Sequence, residues 1–198
     1  MRTFVAITLP QEIRRELALA AGQVGDEGVR WVAEENIHLT LKFLGEIAKT
    51  DLPRVCEILC DAVRGERSFE MKVRGLGLMP NPARPRVVYA GVEADETLKR
   101  LAEKIDPAFE DLGVEADDRA FRPHVTIGRI RSRGRHRAGR QDLRELREAV
   151  LEREEQAFGR TVVSEIVLFE SELGATGPTY TALSRVPLVA VDAADRPE

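Results

Sequence analysis

The sequence predicts an α+β fold of two similar lobes related by approximate two-fold symmetry, and three observations carry that prediction. Strand-like and helix-like segments alternate along the whole chain. The order helix, strand, strand bearing His-x-Thr, helix, two strands occurs twice. Each half contains one copy of the same unit, His38-Leu39-Thr40-Leu41 in the first and His124-Val125-Thr126-Ile127 in the second.

The elements follow in order from local patterning. Residues 3–9 are apolar and β-branched and form a strand. Residues 10–25 form a helix, with Pro10 in its first turn and Ile13, Leu17, Ala20 and Ala21 on one face. Residues 29–33 and 37–44 are strands separated by the polar turn Glu34-Glu35-Asn36. Thr50 or Asp51 caps a second helix running to about Val63, with Pro53 tolerated near its start. Residues 69–78 and 86–92 pair antiparallel across a surface loop stiffened by Pro80, Pro82 and Pro85. Residues 95–112 form a helix broken at Pro107 and closed by Gly113. A short segment near 114–117 precedes a strand over 123–130 and an arginine-rich loop. Residues 141–158 form a charged helix with Leu143, Leu146, Val150 and Leu151 inward, and strands over 161–173 and 179–186 complete the domain. The Ala- and Asp-rich tail, 187–198, is expected to be disordered.

Composition limits the function classes. At 198 residues with 43% hydrophobic content, the chain can bury one core or two small lobes sharing an interface. No run reaches the roughly 18 apolar residues of a membrane span, and the N-terminal apolar stretch is too short for a signal peptide, so a cytoplasmic, membrane-free protein is expected. Cys56 and Cys60 stand one helical turn apart, lack the partners of a zinc site and read as buried reduced thiols. Nothing demands more than a monomer. The net charge of −4 argues against wholesale nucleic-acid coating. Yet Arg129, Arg131, Arg133, Arg135, Arg137 and Arg140 follow the second His-x-Thr unit with His136 and no acid among them. That run reads either as a solvated loop of an Arg-biased chain or as a cationic arm for a phosphate backbone.

In a strand, each His and the Thr two residues on share a face, while the residue between them points to the other. Two such strands brought together present two imidazoles and two hydroxyls, which is an acid, a base and two neutral donors. Opening a phosphodiester needs that set: a base for the nucleophile, an acid for the leaving oxygen, and donors for charge gathering on phosphorus. Imidazoles, titrating near 6.5, can hold opposite protonation states at neutral pH. The residues alone leave the two roles interchangeable. Arg129 lies five residues after His124, an odd offset, and reaches the same face only if the strand is bent or bulged.

The stretches His38-Leu39-Thr40-Leu41-Lys42-Phe43-Leu44-Gly45 and Arg122-Pro123-His124-Val125-Thr126-Ile127-Gly128-Arg129 resemble the two signature motifs of the 2H phosphoesterase superfamily. Within it the chain is most similar to the RNA 2′,3′-cyclic phosphodiesterases, also called 2′-5′ RNA ligases. The opening Arg2-Thr3-Phe4-Val5-Ala6-Ile7, the stretch Gly75-Leu76-Gly77-Leu78-Met79-Pro80, the stretch from Arg84 to Val92 and Val167-Leu168-Phe169-Glu170-Ser171 extend the likeness over residues 2 to about 186. The resemblance implies a single bilobal domain over 1–186, with two antiparallel sheets facing a central cleft and helices on their outer faces. It also implies metal-free, cofactor-free hydrolysis of RNA 2′,3′-cyclic phosphate ends to 2′-phosphates, together with reversible 2′-5′ RNA ligation. By the same resemblance His38 is the proton donor and His124 the acceptor, while Thr40, Thr126 and Arg129 hold the phosphate. Arg131, Arg133, Arg135 and Arg137 are candidate RNA contacts.

Other classes fit less well. A metallohydrolase lacks further ligands beside His38 or His124, and no Gly-x-Ser-x-Gly elbow is present. A non-catalytic RNA-binding module would stack bases on paired aromatics, and only 5% of the chain is aromatic, with Phe4, Trp31 and Phe43 as core residues or a single base platform. A phosphodiesterase for a small cyclic nucleotide is the nearest enzyme alternative.

Overall fold

A single antiparallel sheet of nine strands, pinched at its middle, organises the chain in the computed structural model, which describes residues 1–25, 28–131, 140–175 and 177–191. The elements are β1 (Arg2–Thr8), α1 (Gln11–Val24), β2 (Val29–Trp31), β3 (His38–Glu46), α2 (Leu52–Ala62), β4 (Phe69–Met79), β5 (Val87–Ala94), α3 (Glu96–Ile105), β6 (His124–Ile130), α4 (Arg140–Leu151), β7 (Ala157–Val163), β8 (Glu165–Gly174) and β9 (Gly177–Pro187). The strand order is β7-β4-β5-β6-β3-β1-β8-β9, with β2 paired to the far end of β6. Only one residue pair, Leu39 with Val125, joins β3 to β6. The sheet therefore divides there into a half of four strands (β3, β1, β8 and β9) and a half of five (β7, β4, β5, β6 and β2), giving the expected bilobal α+β architecture.

The internal repeat has a topology that sequence order alone does not suggest. β4, from the first half of the sequence, lies between β5 and β7 in the second lobe, while β8 pairs with β1 in the first. Helices follow the same exchange: α1 and α4 pack behind β7 and β4, whereas α2 and α3 pack behind β9 and β3. α1 buries Ile13, Leu17, Ala20 and Ala21, the face its periodicity predicts. α3 starts at Asp95, whose carboxylate caps the Thr97 amide at 2.8 Å, and gives way at Pro107 to a 3-10 turn closed by Gly113.

Several local expectations are corrected. α4 ends at Leu151 rather than 158 because residues 157–163 are needed as β7, and Leu151, on the outer side of the last turn, is exposed. The strand expected over 161–173 is two strands broken at Ser164. Residues 114–117 are irregular. Cys60 is exposed and Cys56 half-buried, because Val55, Ile58 and Leu59 form the inner face of α2. The ordered chain also runs past 186. Leu188 is buried, its amide donates to the Ser164 carbonyl, and the Val189 amide donates to the Glu66 carbonyl. Residues 192–198 of the expected tail lie outside the described residues. No described helix is long and apolar enough to cross a membrane.

Candidate active site

The bridge between β3 and β6 sets the site. Leu39 and Val125, both fully buried, are the middle residues of the two His-x-Thr units. Carrying that antiparallel register one residue either way puts His38 across from Thr126 and Thr40 across from His124. All four side chains share the face opposite the buried Leu and Val. The histidines occupy one diagonal of this four-cornered array and the threonines the other. Diagonal neighbours of an antiparallel pair stand about 7–8 Å apart, room for a phosphate between the two rings.

Both imidazoles are held in the same way. His38 Nδ1 donates to the Asn36 carbonyl at 2.7 Å, and His124 Nδ1 donates to the Arg122 carbonyl at 2.7 Å, in each case two residues upstream. A proton fixed on Nδ1 leaves Nε2 of the neutral ring as the working nitrogen. At His38 that nitrogen accepts from the Thr40 hydroxyl at 3.0 Å. Asn36 is itself tied across to β9, its Nδ2 donating to the Pro178 carbonyl at 2.8 Å, so the anchor of His38 is braced by a distant strand.

The surroundings of the two rings differ. His38 stacks on Phe4 with ring centroids 4.8 Å apart and meets the edge of Tyr180 at 5.3 Å, and Phe169 stacks in turn on Phe4 at 5.3 Å. His124 has a single aromatic neighbour among the described residues, Tyr89, edge-on at 6.0 Å. Burial holds the His38 imidazole below its ordinary value; the bond to Asn36 opposes this and the charge of Arg129 adds to it. Burial pushes the Tyr180 phenol up, against the charges of Arg129 and Arg2.

Arg129 reaches this face through a bulge. The β5–β6 register slips between Val88 and Tyr89, which lets both Ile127 and Gly128 point into the core and turns Arg129 outward. Its charge then acts on both His38 and Tyr180. The structure thus gathers His38, Thr40, His124, Thr126 and Arg129. Arg131 is exposed just beyond β6, whereas Arg133, Arg135 and Arg137 lie outside the described residues. Phe4 is 3% exposed and belongs to the aromatic wall, Trp31 packs on Gly128, and Phe43 is 62% exposed. Phe169, Tyr180 and Tyr89 were not singled out from the sequence as site residues. Phe169 and Tyr89 lie in stretches that extend the family likeness, but strand patterning gives none of the three a site role, and all lie far in sequence from either motif. Among the described residues, no three His, Cys, Asp or Glu side chains converge on a common point.

The model of the LigT-like phosphoesterases matches this chain twice, over residues 7–89 and 91–180. The chain belongs to the LigT-like phosphoesterase family. Each matched segment carries one His-x-Thr strand, so the division between the two family segments is the division between the two repeats. A Methanothermobacter thermautotrophicus relative, an RNA 2′,3′-cyclic phosphodiesterase, is 34% identical over 183 residues, covering 91% of this chain and 95% of its own. The crystal structure of TT0787 from Thermus thermophilus superposes with a TM-score of 0.76 at 32% identity, covering 96% of this chain and 99% of that one. LigT of E. coli in complex with 3′-AMP gives a TM-score of 0.73 at 26% identity, covering 94% and 97%. Family membership accounts for the shared bilobal sheet across these chains.

Proposed function

We propose that this chain hydrolyses the 2′,3′-cyclic phosphate at the 3′ end of an RNA to a 2′-phosphate, by acid–base catalysis between His38 and His124. The observation that most supports the reading is the Leu39–Val125 pairing, which sets two equivalently anchored imidazoles on opposite corners of one phosphate-sized array. An in-line displacement needs its base and its acid on opposite sides of phosphorus, and the diagonal supplies that. The name of the Methanothermobacter relative supports the substrate class.

In this reading, His124 Nε2 takes a proton from water as the water oxygen bonds to phosphorus. The bond from phosphorus to the ribose 3′ oxygen breaks, and His38 Nε2–H gives that oxygen its proton. The two histidines then exchange protons with solvent to reset. An imidazolium made more acidic by burial hands its proton to an alkoxide more readily, which favours His38 as donor, and the anionic substrate offsets its reluctance to charge. Thr40 releases His38 and donates, with Thr126, to the non-bridging oxygens, while the positive charge of Arg129, further along β6, favours the anion from a distance. Both proton carriers belong to the chain, so the cycle requires no cofactor. With an RNA 5′-hydroxyl in place of water as the nucleophile, the same steps join ends through a 2′-5′ linkage, and their reversal cleaves that linkage to the cyclic phosphate and the free 5′-hydroxyl.

The test uses an RNA ending in 2′,3′-cyclic phosphate, in excess chelator. The wild type is expected to convert that end to the 2′-phosphate at an unchanged rate, and His38→Ala and His124→Ala to lose on the order of 10² to 10⁴ in rate while remaining folded. Near-full turnover by either variant, or activity that disappears in chelator and returns with zinc, rules the mechanism out.

A further inference from the structure

The register of β2 on β6 sets Arg30 directly across from Arg129. Side chains at directly opposed positions share a face with Cβ atoms about 5 Å apart, and like charges there destabilise the pair. Among the described residues, no carboxylate is ion-paired with either guanidinium. The arrangement is nevertheless held firmly. Trp31 packs against Gly128, where a Cβ would lie 2.7 Å from the indole, and its Nε1 donates to the Gly25 carbonyl at 2.9 Å. The Val32 amide donates to the Ile127 carbonyl and the Arg131 amide to the Gly28 carbonyl, closing β2 on β6 at both ends. Two opposed cations in a fixed register gain stability when an anion lies between them.

The place of that anion follows from the strands. A phosphate held by Thr40 and Thr126 sits at the start of β6, whereas Arg129 lies three residues further, roughly 10 Å of strand before the bulge shortens it. Arg30 stands beyond Arg129, and its guanidinium reaches over Gly177 at the β8–β9 turn, where a Cβ would lie 3.4 Å from Nη2. It therefore spans from the second lobe towards the first at the rim of the cleft. Resting on the reading of the site as a cyclic-phosphate phosphodiesterase, we propose that Arg30 binds, against Arg129, the phosphodiester on the 5′ side of the terminal nucleotide. The enzyme would thereby favour RNA ends over free cyclic nucleotides.

The experiment compares two substrates within each variant: a mononucleoside 2′,3′-cyclic phosphate, which lacks the 5′ phosphodiester, and a dinucleotide ending in the same group. Because the readout is the ratio of kcat/KM for dinucleotide over mononucleotide, any loss of folded protein cancels. For Arg30→Met the ratio is expected to fall about 10-fold or more, the scale of a lost charge-assisted bond. The salt dependence on the dinucleotide is expected to flatten by about 0.7 in the log–log slope, as for one released counterion from a single strand. Arg30→Lys, which keeps the charge without the fork, is expected to recover part of the ratio. An unchanged ratio overturns the proposal, whether both substrates suffer equally, which would place Arg30 on the scissile phosphate or in the scaffold, or neither does. Failure of the wild type to turn over either substrate would instead overturn the reading of the site.

Discussion

His38 is the side chain whose environment makes the sharpest demands. With its stacked partner Phe4 almost wholly buried, it sheds its charge at lower pH than a free imidazole, being imidazolium below that lowered value and neutral above it. The limb of the pH–rate curve governed by His38 is therefore expected below the ordinary value near 6.5. Phe4→Ala, which admits water to the ring, is expected to move that limb towards higher pH; a limb that stays in place would show that Phe4 is not what keeps the ring dry. Donor and acceptor separate with an aryl phosphodiester, whose phenolate leaves without a proton. On it His38→Ala is expected to keep most of its rate and His124→Ala to lose it, and the opposite pattern would exchange their roles. The four motif residues were legible in the sequence because strand alternation forces i and i+2 onto one face. Arg129 was legible only conditionally, since alternation cannot foresee the bulge at Ile127–Gly128. Phe169, Tyr180 and Arg30 depend on which distant strand lies alongside, and non-local pairing leaves no mark in a local pattern.

Among the elements, β3 does double duty: one face carries His38 and Thr40 while the other sends Lys42 into the interior. Lys42 is 2% exposed, and its ammonium meets the carboxylate of Asp106, at the end of α3, and the Glu115 carbonyl at 2.7 Å. Asp106 also accepts from the Asp117 amide, so this cluster ties β3 to the connection that leads into β6. Removing Lys42 leaves the Glu115 carbonyl and the Asp106 carboxylate, which is 26% exposed, without their buried donor, and Lys42→Met is expected to cost about 2 kcal/mol in urea unfolding with an unaltered slope. Replacing both, as Lys42→Met with Asp106→Leu, is expected to regain much of that; a double variant as weak as the single would mean that the backbone contacts of Lys42, not its charge, matter most. Helix faces and strand existence were readable here from periodicity. The ends of α4 and β7 were not, because the demand for an edge strand beside β4 overrode a pattern that remains helical to residue 158.

At the scale of the whole molecule, the bilobal α+β design was visible in the repeat, but the crossing of β4 and β8 between lobes was not, since repeats in sequence suggest lobes made from contiguous halves. That exchange has a consequence for how the protein can be divided. Cutting the chain in the loop between β4 and β5 would leave each fragment holding the strand that completes its counterpart's sheet, together with helices that cover the other's back. Neither fragment can close a core alone, because the first lacks β8 and β9 beside β1, and the second lacks β4 between β5 and β7. Mixed together, they are expected to recover cyclic-phosphate turnover while each remains unfolded by itself, which circular dichroism of the separate and combined fragments would reveal. The protein is in effect an intramolecular heterodimer whose subunits have traded an arm, and its two motif histidines meet only when that trade is complete.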